Sequence, residues 1–123
     1  MDRGEVTREF TSLRLALAQI NTTVGDIAGN SALILDSLEK VAAEGAHIAL
    51  FPEMTITGYP VEDLALRSTF RAASKKALLD LATQIAEKNW GEILVVVGYL
   101  DESESRKPQN AIALIHRGEV VAT

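Results

Sequence analysis

The feature of this chain that most constrains its fold is the alternation of short apolar runs with longer amphipathic segments. The apolar runs cover residues 13–20, 47–51 and 93–100, and each has the length of a strand. In the two segments between them, apolar residues recur every three or four positions, as on one face of a helix. The order β-α-β-α-β predicts right-handed crossovers and a mostly parallel sheet. The fold class is therefore α/β.

Two amphipathic helices follow from this spacing. Asn30 is a candidate N-cap for the first helix, and Gly45 stands where the residue after a helix C-terminus is commonly glycine. Ser68 or Thr69 can cap the second helix, which should end near residues 89–91. The apolar faces of the two helices comprise Ile34, Leu38, Val41 and Ala42, and Phe70, Ala73, Ala77, Leu81 and Ile85.

The remaining segments complete the predicted sheet. Residues 13–20 become uniformly apolar along their length, which predicts a strand buried on both faces. Residues 110–116 and 119–122 are typical of two strands, and Arg117-Gly118 between them predicts a tight hairpin with antiparallel pairing. Residues 101–109 are rich in charge and predict a surface loop.

Composition excludes several classes of function. The chain has 12 basic and 17 acidic residues and a net charge of -5, so it is poorly suited to neutralise a phosphate backbone, and we expect no nucleic-acid partner. The absence of cysteine excludes disulfides, thiolate metal ligands and a cysteine nucleophile from this polypeptide. His47 and His116 are isolated from other ligand types, so we predict no metal site.

The sequence also bears on location. The longest apolar stretch, residues 93–100, is far short of the ~20 residues of a membrane-spanning helix, so we expect no membrane association. Residues 1–12 contain no apolar block and resemble neither a signal peptide nor a transit peptide. We interpret them as a mobile lead-in to a domain at residues 13–123. The expected location is cytoplasmic.

The candidate site follows the second apolar run. Glu53 comes just after that run, and the carboxyl ends of strands in open α/β sheets are where catalytic groups are commonly placed. Two interpretations stay open for this carboxylate. It is either a solvated loop residue or a general base, which needs a partly apolar setting that Phe51, Met54 and Ile56 could provide. Tyr59 shares the loop and is a candidate substrate-binding residue.

Four stretches of the chain carry a family resemblance. They are Leu15-Ala-Leu-Ala-Gln-Ile-Asn21, Thr23-Val-Gly-Asp26, Gly29-Asn30 and Phe51-Pro-Glu-Met-Thr-Ile-Thr-Gly-Tyr-Pro-Val-Glu-Asp-Leu64. Together they resemble the nitrilase, or carbon–nitrogen hydrolase, superfamily. The Phe-Pro-Glu motif alone indicates only the superfamily, whereas its extension through Thr-Gly-Tyr-Pro is more specific to the amino-terminal glutaminase domain of glutamine-dependent NAD synthetases. The resemblance runs from about residue 13 to residue 123.

This resemblance implies an α-β-β-α sandwich, of which residues 13–123 would form the first part. It also implies a Glu-Lys-Cys triad in which the cysteine attacks the side-chain amide of L-glutamine to give a thioester. The glutamate acts as general base, and the lysine helps to hold the oxyanion. The family's glutamate falls on Glu53, whereas its lysine and cysteine would both follow Thr123. Because a base without a nucleophile cannot run this chemistry, we expect the isolated chain to be inactive.

The resemblance implies partners as well. In that family, ammonia passes to a carboxyl-terminal domain that uses ATP and magnesium to amidate deamido-NAD, so we expect no cofactor in this chain itself. Part of a sandwich would leave apolar sheet surface uncovered, which predicts a homo-oligomer. Two alternatives stay open: a fragment of a stand-alone nitrilase-type amidase, and a flavodoxin-like binding module with no chemistry.

Overall fold

A computed structural model describes residues 12–123, which form one five-stranded sheet and two α-helices that pack on it. The elements are β1 (Leu15–Leu17), α1 (Ile27–Ala43), β2 (Ile48–Leu50), a 3-10 helix (Glu62–Leu66), α2 (Ser68–Glu87), β3 (Leu94–Glu102), β4 (Pro108–His116) and β5 (Glu119–Ala122). The mobile lead-in predicted for residues 1–12 lies, except for Ser12, outside the described residues.

The strand order in the sheet is β1-β2-β3-β4-β5. β2 pairs in parallel with both β1 and β3, whereas the β3–β4 and β4–β5 pairs are antiparallel. The predicted α/β class, the parallel core and the hairpin at residues 117–118 are therefore confirmed. Arg117 and Gly118 both have positive φ angles, of 52° and 81°, as a tight hairpin turn requires.

Both helices pack on the same face of the sheet. The paired positions Ala16, Ala49, Val95 and Ile115 form one row across four strands and share that face, because side chains alternate along a strand. They join a single buried cluster that contains residues of both helices. The helix residues in this cluster are Ile34, Leu38, Val41, Leu78, Leu81, Ala82 and Ile85.

The opposite face of the sheet is also apolar, and its parts on β1 and β4 are left uncovered by the described residues. Leu15 and Leu17 of β1 are 51% and 70% exposed, and Ile112 of β4 is 55% exposed. The prediction that the first strand is buried on both faces is therefore wrong for residues 12–123. Uniform apolarity signals that both faces are built for burial, but both helices occupy one side only.

Two predicted helix starts also need correction. Helix α1 begins at Ile27, and Asp26 is its N-cap, with its side chain accepting from the Gly29 backbone N–H at 3.0 Å. Asn30 therefore lies inside the first turns of the helix. The N-cap of α2 is Arg67, which makes no side-chain capping bond because a guanidinium has no acceptor, and the predicted caps Ser68 and Thr69 lie inside the helix. The predicted Gly45 position is confirmed, with a φ of 71° directly after the C-cap.

The charged loop predicted for residues 101–109 is shorter than expected. Asp101 pairs with Gln109, and Glu102 pairs with Pro108, so β3 and β4 extend into it from both sides. Residues 103–107 make the connection. Charge at the end of a long hairpin does not prevent strand pairing where the side chains reach solvent or find partners.

Candidate active site

The segment that follows β2 carries the candidate catalytic residue. β2 ends at Leu50, and the Phe51 backbone N–H still donates to the Val96 carbonyl of β3 at 2.8 Å. Glu53 comes two residues later, at the carboxyl end of a strand with parallel neighbours on both sides. The structure thus places Glu53 where the sequence predicted it, at the edge where open α/β sheets hold functional groups.

The chain from Pro52 to Gly58, here called the Glu53 loop, is folded on itself. The Thr55 hydroxyl donates to the Pro52 carbonyl, and the Gly58 backbone N–H donates to the Met54 carbonyl at 2.8 Å. Residues 54–58 are buried, whereas Glu53 at the tip is exposed. A buried, internally bonded loop holds its exposed tip in one place, which suits a residue that must meet a substrate.

The Glu53 loop crosses directly over β3 at Gly98. The Ile56 backbone N–H donates to the Gly98 carbonyl at 3.2 Å. A Cβ atom at position 98 would lie 2.5 Å from the Met54 nitrogen and 2.6 Å from the Pro52 oxygen. Only glycine therefore permits this approach of strand and loop, which is a common reason for glycine inside a strand.

A second support comes from the loop between β1 and α1. The Gly25 backbone N–H donates to the Thr57 carbonyl at 2.8 Å, and a Cβ atom at Gly58 would lie 2.6 Å from Val24. The side chain of Asn30 adds hydrogen bonds to Thr23 and Ile56. Asn30, a candidate helix cap in the sequence, therefore makes contacts that the sequence pattern did not predict.

One signal for Asn30 was present in the sequence. Asn30 shares the apolar face of α1 with Ile34, Leu38 and Val41, at positions i, i+4, i+8 and i+11. A polar side chain on an apolar helix face predicts a buried amide with partners of its own. The partners could not be named, because they lie on segments that only the tertiary fold brings close.

Glu53 lines a concavity of about 410 Å³. This cavity opens beside the uncovered face of the sheet, since Leu50, Val96 and Ile112 belong to that face. The other lining residues are Phe51, Pro52, Gly98, Asn110 and Ala111. Of the described concavities, it is the one that contains the candidate base. A larger groove of about 540 Å³ runs between α1 and α2.

The expected apolar setting of Glu53 is only partly present. Phe51 lines the cavity, but Met54 and Ile56 are buried and do not line it. Glu53 itself is exposed in the described part of the chain. The expectation of an apolar setting for Glu53 is therefore wrong for Met54 and Ile56, and only Phe51 lines the same cavity. The reason is geometric, because the loop turns its apolar side chains toward the protein interior and its carboxylate outward.

Tyr59 does not line this cavity. Its side chain is 65% exposed, and it follows the buried residues of the Glu53 loop. Its predicted contact with substrate stays a prediction. The two histidines lie apart: His47 Nδ1 accepts from the Arg14 backbone N–H at 2.9 Å, and His116 Nε2 lies 3.7 Å from Glu92. Residues 12–123 contain no group of three potential metal ligands.

A polar cluster at the end of β3 connects the 3-10 helix, α2 and the hairpin. The Arg71 side chain is 6% exposed and donates to Glu102 at 2.8 Å, to the Ala65 carbonyl at 2.8 Å and to the Arg106 carbonyl at 3.1 Å. The hydrogen bond from Arg71 outweighs partial burial and lowers the pKa of Glu102. All three donor nitrogens of Arg71 have partners, so this cluster is structural.

Beside this cluster, the buried Tyr99 is paired with the half-buried Asp101. The Tyr99 hydroxyl donates to Asp101 at 2.7 Å, and burial, together with this carboxylate, raises the pKa of Tyr99. Burial would raise the pKa of Asp101, but bonds from Tyr99, the Glu102 backbone and Lys75 lower it overall. Both groups are therefore held in one charge state near neutral pH.

The fold and the position of Glu53 agree with a match to a protein family. Residues 14–123 match the model of the carbon–nitrogen hydrolases. The chain belongs to this family, and its sheet with two helices is the first part of the nitrilase-like sandwich. No helix among the described residues is both long and apolar enough to cross a membrane.

Within the family, the chain is similar to one kind of enzyme in particular. It is 36% identical over 109 residues to the glutamine-dependent NAD(+) synthetase of Thermotoga maritima, a match that covers 89% of this chain and 18% of that protein. The crystal structure of a glutamine-dependent NAD(+) synthetase from Cytophaga hutchinsonii superposes with a TM-score of 0.80 at 26% identity, over 89% of this chain and 18% of that one.

An amidase from Nesterenkonia sp. shows the same fold more distantly. It has a TM-score of 0.72 at 24% identity, over 89% of this chain and 41% of that one. At that identity the likeness shows the fold alone. The chain spans 16–19% of the length of the curated relatives it matches.

Proposed function

We propose that this chain is the part of a glutamine-dependent NAD synthetase that carries the general base of the glutaminase reaction. The observation that carries the proposal is the position of Glu53, which lines a cavity and lies on a loop whose residues 54–58 are buried. The chain is 36% identical over 109 residues to such a synthetase, and this similarity supports L-glutamine as the substrate. The longer protein that would contain this chain is called the proposed synthetase below.

Glu53 has a defined part in this chemistry. Its carboxylate takes the proton from a cysteine thiol as the sulfur attacks the side-chain amide carbon of glutamine. A lysine supports the developing oxyanion. The carbon–nitrogen bond then breaks, Glu53 returns the proton to the leaving ammonia, and a thioester remains. Water activated by Glu53 cleaves the thioester to release glutamate.

The thiol must come from another segment, because this chain has no cysteine. The proposed synthetase would therefore complete the site by placing its nucleophile and its lysine against the cavity. The isolated chain, with one of three catalytic groups, should be inactive. Segments that approach the cavity also lie over the uncovered sheet face, since Leu50, Val96 and Ile112 border both.

This arrangement explains why Glu53 is exposed in the described residues. A carboxylate in open water is a weak base, and excluding water from its surroundings strengthens it. Covering the apolar sheet face would remove water from the cavity and from Glu53 at the same time. The desolvation expected of a general base would thus come from the second layer of the sandwich rather than from the Glu53 loop.

The remaining parts of the proposal lie outside this chain. Ammonia would pass to a domain that uses ATP and magnesium to amidate deamido-NAD, in a cytoplasmic, homo-oligomeric enzyme. We propose that magnesium and ATP both bind in that domain. This chain would therefore contribute only to the release of ammonia.

Two assays test the proposal. The proposed synthetase should release ammonia from L-glutamine and form NAD from deamido-NAD when ATP is present, whereas residues 1–123 alone should do neither. Simple aliphatic amides should be poor substrates by comparison. Robust turnover of glutamine by the isolated chain would contradict the proposal that segments outside this chain supply the lysine and the cysteine. Efficient hydrolysis of aliphatic amides without any NAD formation would favour a stand-alone amidase instead.

A further inference from the structure

The side chain of Asn30 is a buried amide with every partner outside its own helix. It is 1% exposed. Its Oδ1 accepts from the Thr23 backbone N–H at 2.8 Å, and its Nδ2 donates to the Thr23 carbonyl at 2.9 Å and to the Ile56 carbonyl at 3.1 Å. One amide therefore joins α1 to two separate segments, the β1–α1 connection and the Glu53 loop.

Helix α1 does not need this side chain for its own formation. Asp26 already caps the helix, and Asn30 faces the same apolar layer as Ile34 and Leu38. An apolar residue there would avoid the cost of removing an amide from water. We therefore attribute the buried amide of Asn30 to its effect on the β1–α1 connection and the Glu53 loop, whose relative position its hydrogen bonds fix.

The bond to Ile56 acts close to the candidate base. Ile56 is three residues after Glu53, and its backbone is fixed on both sides: its carbonyl accepts from Asn30, and its N–H donates to Gly98 of β3. The neighbouring Thr57 carbonyl accepts from Gly25. Among the bonds that hold the Glu53 loop to α1 and to the β1–α1 connection, the Asn30 bond is the one a side-chain substitution removes.

We infer that Asn30 is a positioning residue whose amide, by binding Thr23 and Ile56 together, sets the place of Glu53 relative to the reacting thiol. This inference rests on the proposed function. Proton transfer requires the base within about 2.6–3.2 Å of the proton's heavy atom. A displacement of about 1 Å lowers the rate of such a step on the order of 100-fold.

The test compares two buried helix side chains in the proposed synthetase. Asn30→Ala removes the three loop bonds. Ser74→Ala is the matched control, because Ser74 is 0% exposed on α2 and its hydroxyl accepts from the Leu100 backbone N–H of β3 at 3.1 Å, not from the Glu53 loop. For each variant, NAD formation is measured with glutamine and with free ammonia, and kcat and KM for glutamine are separated.

The expected result is a split between the two nitrogen sources. Asn30→Ala should lower the glutamine-driven kcat on the order of 100-fold, with a smaller change in KM and with ammonia-driven synthesis retained. Ser74→Ala should lower the thermal midpoint while the ratio of glutamine-driven to ammonia-driven synthesis stays that of the unsubstituted protein. Because Ser74→Ala lowers stability in the same domain, a split seen in Asn30→Ala and not in Ser74→Ala is not explained by loss of stability.

Two other outcomes would contradict the role of Asn30 or the proposed function. Equal ratios in Asn30→Ala and Ser74→Ala would overturn the role of Asn30 while leaving the proposed function intact. An unsubstituted protein that releases no ammonia from glutamine would overturn the proposed function, and the inference with it. Should Asn30→Ala fail to fold, Asn30→Ser replaces it, since its hydroxyl is too short to join Thr23 and Ile56, and the same ratio decides.

Discussion

Gly98 of β3 packs directly against the peptide backbone of Glu53. A Cβ atom at Gly98 would lie 2.9 Å from the Glu53 carbonyl carbon and still closer to Pro52 and Met54. The place of the candidate base is therefore set partly by the absence of a side chain on the next strand. This contact joins β3 to the loop that carries the candidate base.

Replacing Gly98 with alanine should displace the Glu53 loop. The added methyl group meets backbone atoms, which cannot move aside as a flexible side chain could, so we expect destabilisation of about 1–3 kcal/mol and a loss of glutamine-driven activity. Chemical denaturation and the two-nitrogen-source assay measure these effects. Gly91→Ala is the control, because a Cβ there meets nothing closer than 3.4 Å. Full glutaminase activity in Gly98→Ala would contradict this account.

Much of this fold followed from the sequence. The alternation of strands and helices, the parallel core and the hairpin at Arg117-Gly118 were all predicted from local patterns, because each depends on residues close in sequence. The pairing of residues 101–102 with residues 108–109 was not predicted. A partner strand can hold residues whose own composition disfavours a strand, and a local pattern does not show this. The burial of the first strand was overestimated. An apolar pattern indicates that a strand face is suited to burial, but it does not indicate which segment covers that face.

Part of the candidate site could also be predicted, because it depends on residues that are close in sequence. Glu53 could be placed at a strand end from its own neighbours. The contacts of Asn30 and Gly98 with the Glu53 loop join segments 26 and 42 positions apart, counted from Ile56. Only the tertiary fold brings those segments together, so a pattern read along the chain cannot name them. That Met54 and Ile56 are buried and do not line the cavity also depends on the tertiary fold, so the sequence pattern could not predict it.

The uncovered sheet face should cause the isolated chain to associate. Exposed apolar patches and free strand edges favour contacts between copies. Light scattering should show species larger than a monomer, and Leu17→Lys should shift them toward the monomer, since Leu17 lies on this face and is 70% exposed. Leu79→Lys on α2, where Leu79 is 59% exposed, is the control and should change little. A stable monomer of the unsubstituted chain would argue against an exposed apolar face.

The Arg71–Glu102 pair predicts how stability depends on pH. The pKa of Glu102 is lowered in the folded state from its ordinary value of 4.5, chiefly by the hydrogen bond from Arg71. Its contribution to folding is therefore complete above about pH 4.5 and is lost as the pH falls through the lower folded value. The free energy of unfolding should decline in that acid range.

Glu102→Gln isolates this contribution. The variant should be less stable than the unsubstituted chain at neutral pH, and its urea midpoint should fall less between neutral pH and the acid range. Glu104→Gln is the control, because Glu104 is exposed and forms no ion pair with any described residue. Parallel curves for Glu102→Gln and the unsubstituted chain would show that the pair does not titrate as described.

Tyr59 can be tested as a substrate contact. If its hydroxyl bonds glutamine, Tyr59→Phe should raise KM for glutamine by up to about tenfold, which corresponds to one hydrogen bond of about 0.5–1.5 kcal/mol, and leave kcat and stability unchanged. Tyr99→Phe is the contrast, because the buried Tyr99 hydroxyl bonds Asp101, so that variant should lose stability and keep its KM. An unchanged KM in Tyr59→Phe removes Tyr59 from the site.

The central claim is that Glu53 is the general base of glutamine hydrolysis, and Glu53→Gln in the proposed synthetase tests it most directly. NAD formation is measured with glutamine and with free ammonia as nitrogen source. Glutamine-driven synthesis should fall by about 10²- to 10⁴-fold, whereas ammonia-driven synthesis and the thermal midpoint should be retained, because Glu53 lies outside the buried core of the described residues. Equal loss of both routes, or full activity with glutamine, would contradict the assignment.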